Sequence, residues 1–196
     1  MNGTTSILIA ALLGALTWSF LEYAIHRWLG HSKVAPKNPF GVDHIRHHVE
    51  GGYFSPTWKK CVVGLVFTGV LALPADLVLG TALGLGYVGG LIAFYATYEL
   101  LHRLEHVRPG FGPYARWARR HHFTHHFTDA RKNHGVTSPL WDLVFGTYQA
   151  PGTIQVPRKL GMPWLLDPAT GEVRSAHAGS FVLKGGRDGE ARPSQR

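Results

Sequence analysis

The chain has 196 residues, a net charge of +8 and one cysteine, Cys61. That length fits a single domain, and a lone sulfur excludes both a disulfide framework and a thiolate metal site, each of which needs several. Any bound metal must be held by imidazole or carboxylate, and the basic charge, which alone would also suit nucleic acid, is explained by where it falls along the chain.

Met1 to Ser6 is short, polar and uncharged, and Ile7 to Ile25 is then continuously apolar. Cys61 to Leu79 and Thr81 to Leu101 are similar, and each stretch has about 19 to 21 residues. At about 1.5 Å per residue they can each cross a hydrocarbon core of roughly 30 Å. None of the 20 Lys and Arg residues lies in Met1–Ile25 or Cys61–Leu101; six lie between His26 and Lys60 and fourteen after Leu101. By the positive-inside rule the basic segments face the cytoplasm, with the amino terminus outside. A cleaved signal peptide fits the first stretch poorly, because it has no positively charged leader and a cut at its end would sever it from His26.

The first stretch ends in FLEYAIHRWLGH. Glu22 stands four residues before His26 and shares its helix face, where it could orient a metal-bound imidazole or else pair with Arg27. His31 lies about 140° from His26 on an unbroken helix. Gly30 therefore predicts a helix end that turns His31 back. After a loop at Lys33–Gly41, Asp43 is expected to cap a helix carrying His44, His47 and His48. The loop Glu50–Trp58 is rich in aromatics and suits a bilayer interface.

The third apolar stretch runs without a break into Glu99, His102 and His106, an i, i+4 histidine pair suited to one metal. A turn then leads to Ala115–Phe127, predicted as a basic surface helix with His122, His125 and His126 on one face. His121 points about 100° away from His122. Asp129, four residues after His125, is a third candidate to orient an imidazole. Asn133–Tyr148, which includes His134, reads as an apolar loop packed on the helices. From residue 149 onward Pro, Gly and charge predict an irregular tail, with His177 as its only histidine. The expected fold is all-α: an integral membrane protein of about three transmembrane helices with a cytoplasmic histidine-rich cap, in which 1–148 form the membrane domain.

Ten histidines in four clusters exceed what one structural zinc uses, and two metals with about five ligands each account for them. Imidazole suits Fe, Zn, Cu and Ni alike. A non-catalytic metal store or transporter would place ionisable residues along a path within the spans, whereas these clusters lie outside them. A metal pair at the membrane face points to redox chemistry on lipid, and so to iron.

In order, HRWLGH, DHIRHH, HRLEH and HHFTHH, followed by GVTSPLWDLVFGTY, resemble the fatty acid hydroxylase and sterol desaturase superfamily, whose pattern is HxxxxH, HxxHH, HxxxH, HxxHH. The likeness covers about Trp18 to Tyr148, and its ending looks most like the fatty acid 2-hydroxylases. It implies metal ligands at His26, His31, His44, His47, His48, His102, His106, His122, His125 and His126. It also implies two iron ions, with zinc possible in a purified form, that oxidise a lipid C–H bond with O2 and two electrons. With no nucleotide-binding glycine pattern, those electrons are expected from a separate ferredoxin or cytochrome b type donor with its reductase. Carotenoid hydroxylation and sterol oxidation or desaturation remain open. Relative to those enzymes the sequence is expected to lack the amino-terminal haem domain and to have three spans rather than four, its HRLEHVRP is less typical than their third cluster, and His134 stands where Phe is common.

Overall fold

The computed structural model describes residues 3–110 and 112–185, so the expectations for Met1 and for the tail beyond residue 185 lie outside the described residues. The described helices are α1 (Gly3–Ile25), α2 (Pro39–Glu50), α3 (Thr57–Leu79), α4 (Thr81–Val107), α5 (Gly112–Phe127) and α6 (Leu140–Val144). Two short strands follow, β1 (Ile154–Pro157) and β2 (Phe181–Lys184).

Helices α1 and α3 both pack on α4. The α1–α4 seam depends on glycine. A Cβ on Gly14 would fall 1.9 Å from the Tyr87 carbonyl oxygen and one on Gly90 1.8 Å from that of Ala11, so the two backbones touch, as membrane helices do across small residues. Helices α3 and α4 form a hairpin on Gly80, whose φ of 78° strains residues with a Cβ. The outer faces are apolar: Leu12, Leu65 and Val78 are 70%, 71% and 80% exposed, a pattern suited to lipid. Two stretches, Gly3–Gly30 and Thr57–Leu79, are long and apolar enough to cross a membrane. Helix α4 has the length, 27 residues, but its glycines and tyrosines dilute its apolar character.

At its carboxy-terminal end α1 continues as a π-helical turn, His26–Gly30. The turn is wider than an α-turn, with i→i+5 bonding; the helix ends at Gly30, as expected, and His31 is turned back toward His26, their rings 5.5 Å apart. Helix α2 starts earlier than predicted. Asn38 caps it, its Oδ1 accepting from the Gly41 N–H at 2.8 Å, and Pro39 supplies the first turn. Asp43 is therefore not a cap but an interior residue of that helix.

Two further expectations fail. Helix α5 is not a surface helix, since Arg119, His121, His122, Phe123 and His125 are all 3% exposed or less. What covers it is the segment expected to be irregular. There β1 and β2 pair in parallel, Ile154 opposite Phe181, and Ile154, Val156, Met162, Trp164, Leu165 and Phe181 pack around Phe123. The chain is mostly helical with a small sheet, rather than all-α. Parallel strands need a crossover of roughly a dozen residues or more, so two four-residue strands leave no local pattern to read.

Candidate metal centre

All ten predicted histidines converge, in two groups of five: His26, His31, His44, His48 and His125, and His47, His102, His106, His122 and His126. Within each group the candidate ligand atoms all lie within 4.8 Å of one another. The i, i+4 pairs His44/His48, His102/His106 and His122/His126 stay together, because four helical steps bring two rings to within about 40° of one direction. The middle histidine of each triplet, one step and about 100° from its neighbour, crosses to the opposite group.

The spacing of ring nitrogens fits a coordination shell. In the first group Nε2–Nε2 separations are 2.9 Å for His26–His125 and His31–His125, and 3.0 Å for His31–His44 and His44–His48. In the second they are 3.1 Å for His47–His106 and His47–His102 and 3.0 Å for His106–His122. Ligands about 2.1 Å from one ion and at right angles stand about 3.0 Å apart. Lone pairs directed at a common point explain these contacts better than a ring of imidazole hydrogen bonds does. Five such donors suit a first-row divalent ion with one position left open.

Three of these rings are oriented by backbone. Nδ1–H of His26 donates to the His134 carbonyl at 2.5 Å, that of His47 to Tyr53 at 2.6 Å and that of His125 to Lys132 at 2.7 Å. A carbonyl only accepts, so the proton sits on Nδ1 and Nε2 keeps its lone pair for the metal. Burial pushes His47 down to about 4 and His48 to about 3, so the imidazoles are neutral and ready to ligate at neutral pH.

The three carboxylates expected in this orienting role do not perform it. Glu22 is buried but accepts from Thr137, at 3.0 Å from its N–H and 2.7 Å from its hydroxyl. It therefore ties α1 to the loop after α5 rather than steering His26 or pairing with Arg27. Glu99 pairs with Lys60. Asp129 is bound to Arg131 at 2.9 Å, away from His125. Shared helix face was a necessary condition for contact but not a sufficient one: at His26 and His125 carbonyls of neighbouring loops hold the rings instead, and Glu99 is taken up by Lys60.

The residue that sequence reasoning missed is Asp142, on α6 and 0% exposed. Its carboxylate accepts from the N–H groups of His134 at 2.9 Å and Gly135 at 2.8 Å, from the Thr147 hydroxyl at 2.7 Å and from His121 Nε2 at 3.3 Å. Burial alone would raise its pKa, but these donors outweigh burial and hold it below the usual carboxylate range. It fixes the loop whose His134 carbonyl orients His26. His121 is thus part of the scaffold, and the His134 ring lies beside the first group with its centroid 5.2 Å from that of His125. Asn133, at φ 56°, closes the same loop on Gln149. A buried Asp inside SPLWDLV was the available signal.

A cavity of about 400 Å³ opens beside both groups. His44, His47 and His102 form part of its wall, Asp43, Ser55 and Lys59 lie on its α2 side, and Ile25, Val62, Val63 and Phe67 line it between α1 and α3.

The family model described as fatty acid hydroxylase matches residues 11–147. Human fatty acid 2-hydroxylase is 31% identical over 147 residues, covering 69% of this chain and 38% of the relative. A dihydroceramide fatty acyl 2-hydroxylase of Arabidopsis thaliana is 30% identical, covering 68% and 58%, and a ceramide very long chain fatty acid hydroxylase of Schizosaccharomyces pombe is 30% identical, covering 69% and 41%. The chain thus spans between 38% and 58% of the length of these relatives. The solved structure of full-length scs7p, in which only the hydroxylase domain is visible, shares the fold with a TM-score of 0.59 at 23% identity, covering 77% of this chain and 59% of that one.

Proposed function

The chain belongs to the fatty acid hydroxylase family, and from that premise we propose that it is a membrane-bound enzyme that hydroxylates a C–H bond of a lipid acyl chain. The observation that carries this is the pair of all-imidazole groups, five residues each, walling one apolar cavity. Two iron ions held there by the ten histidines would supply O2 activation and attack on an unactivated C–H bond.

The protein's own part is geometric. Carbonyls of His134, Tyr53 and Lys132 keep three imidazoles in the ligating tautomer. Asp43, which accepts from Ser55 at 2.8 Å and Lys59 at 2.9 Å, makes a polar mouth beside His44 and His47. The apolar walls beyond exclude water and hold a hydrocarbon segment. A polar head kept at the mouth leaves the carbons next to it nearest the imidazoles, which supports oxidation close to the carboxyl end. Electrons come from a separate donor of ferredoxin or cytochrome b type, attracted to the basic cytoplasmic face.

The orientation that goes with this function has three spans, α1, α3 and α4, with Met1 outside and the histidines and Arg196 inside. The even number of crossings between the early and late clusters supports it, as does the confinement of all 20 Lys and Arg residues to segments on one side. A carboxy-terminal reporter active only in the cytoplasm tests it. For the activity, the iron-loaded protein in lipid nanodiscs with a reduced donor should transfer one atom of labelled O2 into an acyl chain. Label found in sterol or carotenoid but never in an acyl chain refutes the acyl assignment.

A further inference from the structure

His134 stands beside the first histidine group without belonging to it. It is 3% exposed, and its ring lies edge-on to three rings of that group, with centroids 5.4 Å from His26, 5.9 Å from His31 and 5.2 Å from His125. One ring nitrogen donates to the Arg131 carbonyl. The other, Nδ1, is buried and has no hydrogen-bond partner. Burial keeps the ring neutral, so with its proton on Nε2 it presents a lone pair at Nδ1. A buried acceptor without a donor costs folding free energy and is rare in native proteins. The donors around it are engaged elsewhere: Nδ1–H of His26 and of His125 serve the carbonyls of His134 and Lys132, and the Tyr23 hydroxyl bonds to Thr147 at 3.0 Å. The second group is surrounded differently. Outside it Phe54 lies 5.2 Å from His47, Phe123 5.1 Å from His106 and Phe127 5.7 Å from His126, and Tyr98 stacks on His102 at 5.9 Å. Among the described residues no eleventh imidazole lies there.

We propose that His134 is a positioning residue of the first metal position: its Nδ1 accepts a hydrogen bond from a water molecule bound to the ion there, which makes the two ions chemically unequal. The inference rests on the reading of the two groups as metal sites and is independent of which lipid is oxidised. Five imidazoles leave such an ion one open position. Water bound there is a strong donor, because the ion draws charge from its oxygen. A lone pair held beside that position favours a ligand that carries a proton and opposes an anion that has none, since the lone pairs of such an anion would face Nδ1. The carbonyl of the same residue orients His26, so the backbone and the side chain of His134 act on one metal position.

The test reads ligand binding and needs no turnover. Protein loaded with cobalt(II) in detergent micelles is titrated with azide, an anion without a proton, while its visible d–d absorption is followed and cobalt is counted by elemental analysis. Wild type should hold about two ions per chain and show two azide midpoints, the weaker by at least about tenfold, the scale of effect that outer partners have on a metal site. His134→Phe keeps a ring but no acceptor and should bring the two midpoints together. His134→Gln keeps a carbonyl acceptor and should retain the split. Loss of one cobalt from the Phe variant alone also supports the contact. Loss from both variants, a single midpoint in wild type, or a split unchanged in the Phe variant overturns it. Wild-type protein that binds no cobalt overturns the metal reading itself, which each of the other outcomes leaves intact.

Discussion

Replacing Asp142 with Asn separates the two metal positions. The buried carboxylate receives four hydrogen bonds, two of them from the backbone N–H groups of His134 and Gly135, one on each oxygen. An Asn amide has only one acceptor oxygen, so one of those N–H groups would face an NH2 donor. Charge-assisted bonds contribute about 1.5–3 kcal/mol each, and a buried donor left unpaired costs about 1–3 kcal/mol. A loss of about 2–4 kcal/mol is expected, or about 4–16 °C in melting temperature for a domain of this size. The site consequence is asymmetric. The His134 carbonyl orients His26, in the first group, and Thr137 of the same loop binds Glu22, whereas His47 of the second group is oriented by Tyr53, on a different loop. Asp142→Asn should therefore lower metal content from about two ions per chain toward one, by elemental analysis after dialysis against a weak chelator. A variant that keeps both ions and melts within about 1 °C of wild type refutes the reasoning, because the carboxylate would then add nothing that an amide cannot.

Glu99→Gln should keep both ions, since Glu99 meets Lys60 and no imidazole, and a partly exposed ion pair contributes under about 1 kcal/mol; loss of metal on elemental analysis would return Glu99 to the metal shell. Glu22→Gln should also be tolerated, because one amide oxygen can still accept from both donors of Thr137, whereas Glu22→Ala should lower the melting temperature by leaving those buried donors unpaired. Acid should strip the metal late. Burial depresses His47 to about 4 and His48 to about 3, so protons compete for these nitrogens only as pH falls toward those values, and metal content followed by titration should hold to about pH 5, below the ordinary imidazole range near 6.5. Truncation after Gln149 should abolish folding rather than trim a tail: it removes Ile154, Val156, Leu165 and Phe181 from the core around Phe123, each worth about 1.5–3 kcal/mol of burial, and soluble-aggregate analysis in detergent would detect the loss.

The sequence by itself determined the ten histidines that converge and the long apolar helices that carry some of them, because each of these is a local property. Ligand spacing of i, i+4 aligns rings on any helix, and an apolar run of bilayer length needs no partner to be recognised. It did not determine how the ten divide. His47 and His125 leave their own triplets for the opposite groups, which follows from how α2, α4 and α5 face one another and from the π-helical turn that returns His31. Nor could helix faces identify what orients the imidazoles. Glu22, Glu99 and Asp129 lay on suitable faces, yet the carbonyls of His134 and Lys132 hold the rings of His26 and His125, and Glu99 pairs with Lys60. A carbonyl is carried by every residue, so only the path of the loops decides which one arrives within hydrogen-bond reach. The same holds for the strands at Ile154 and Phe181: their partners are distant in sequence, and only packing brings them together.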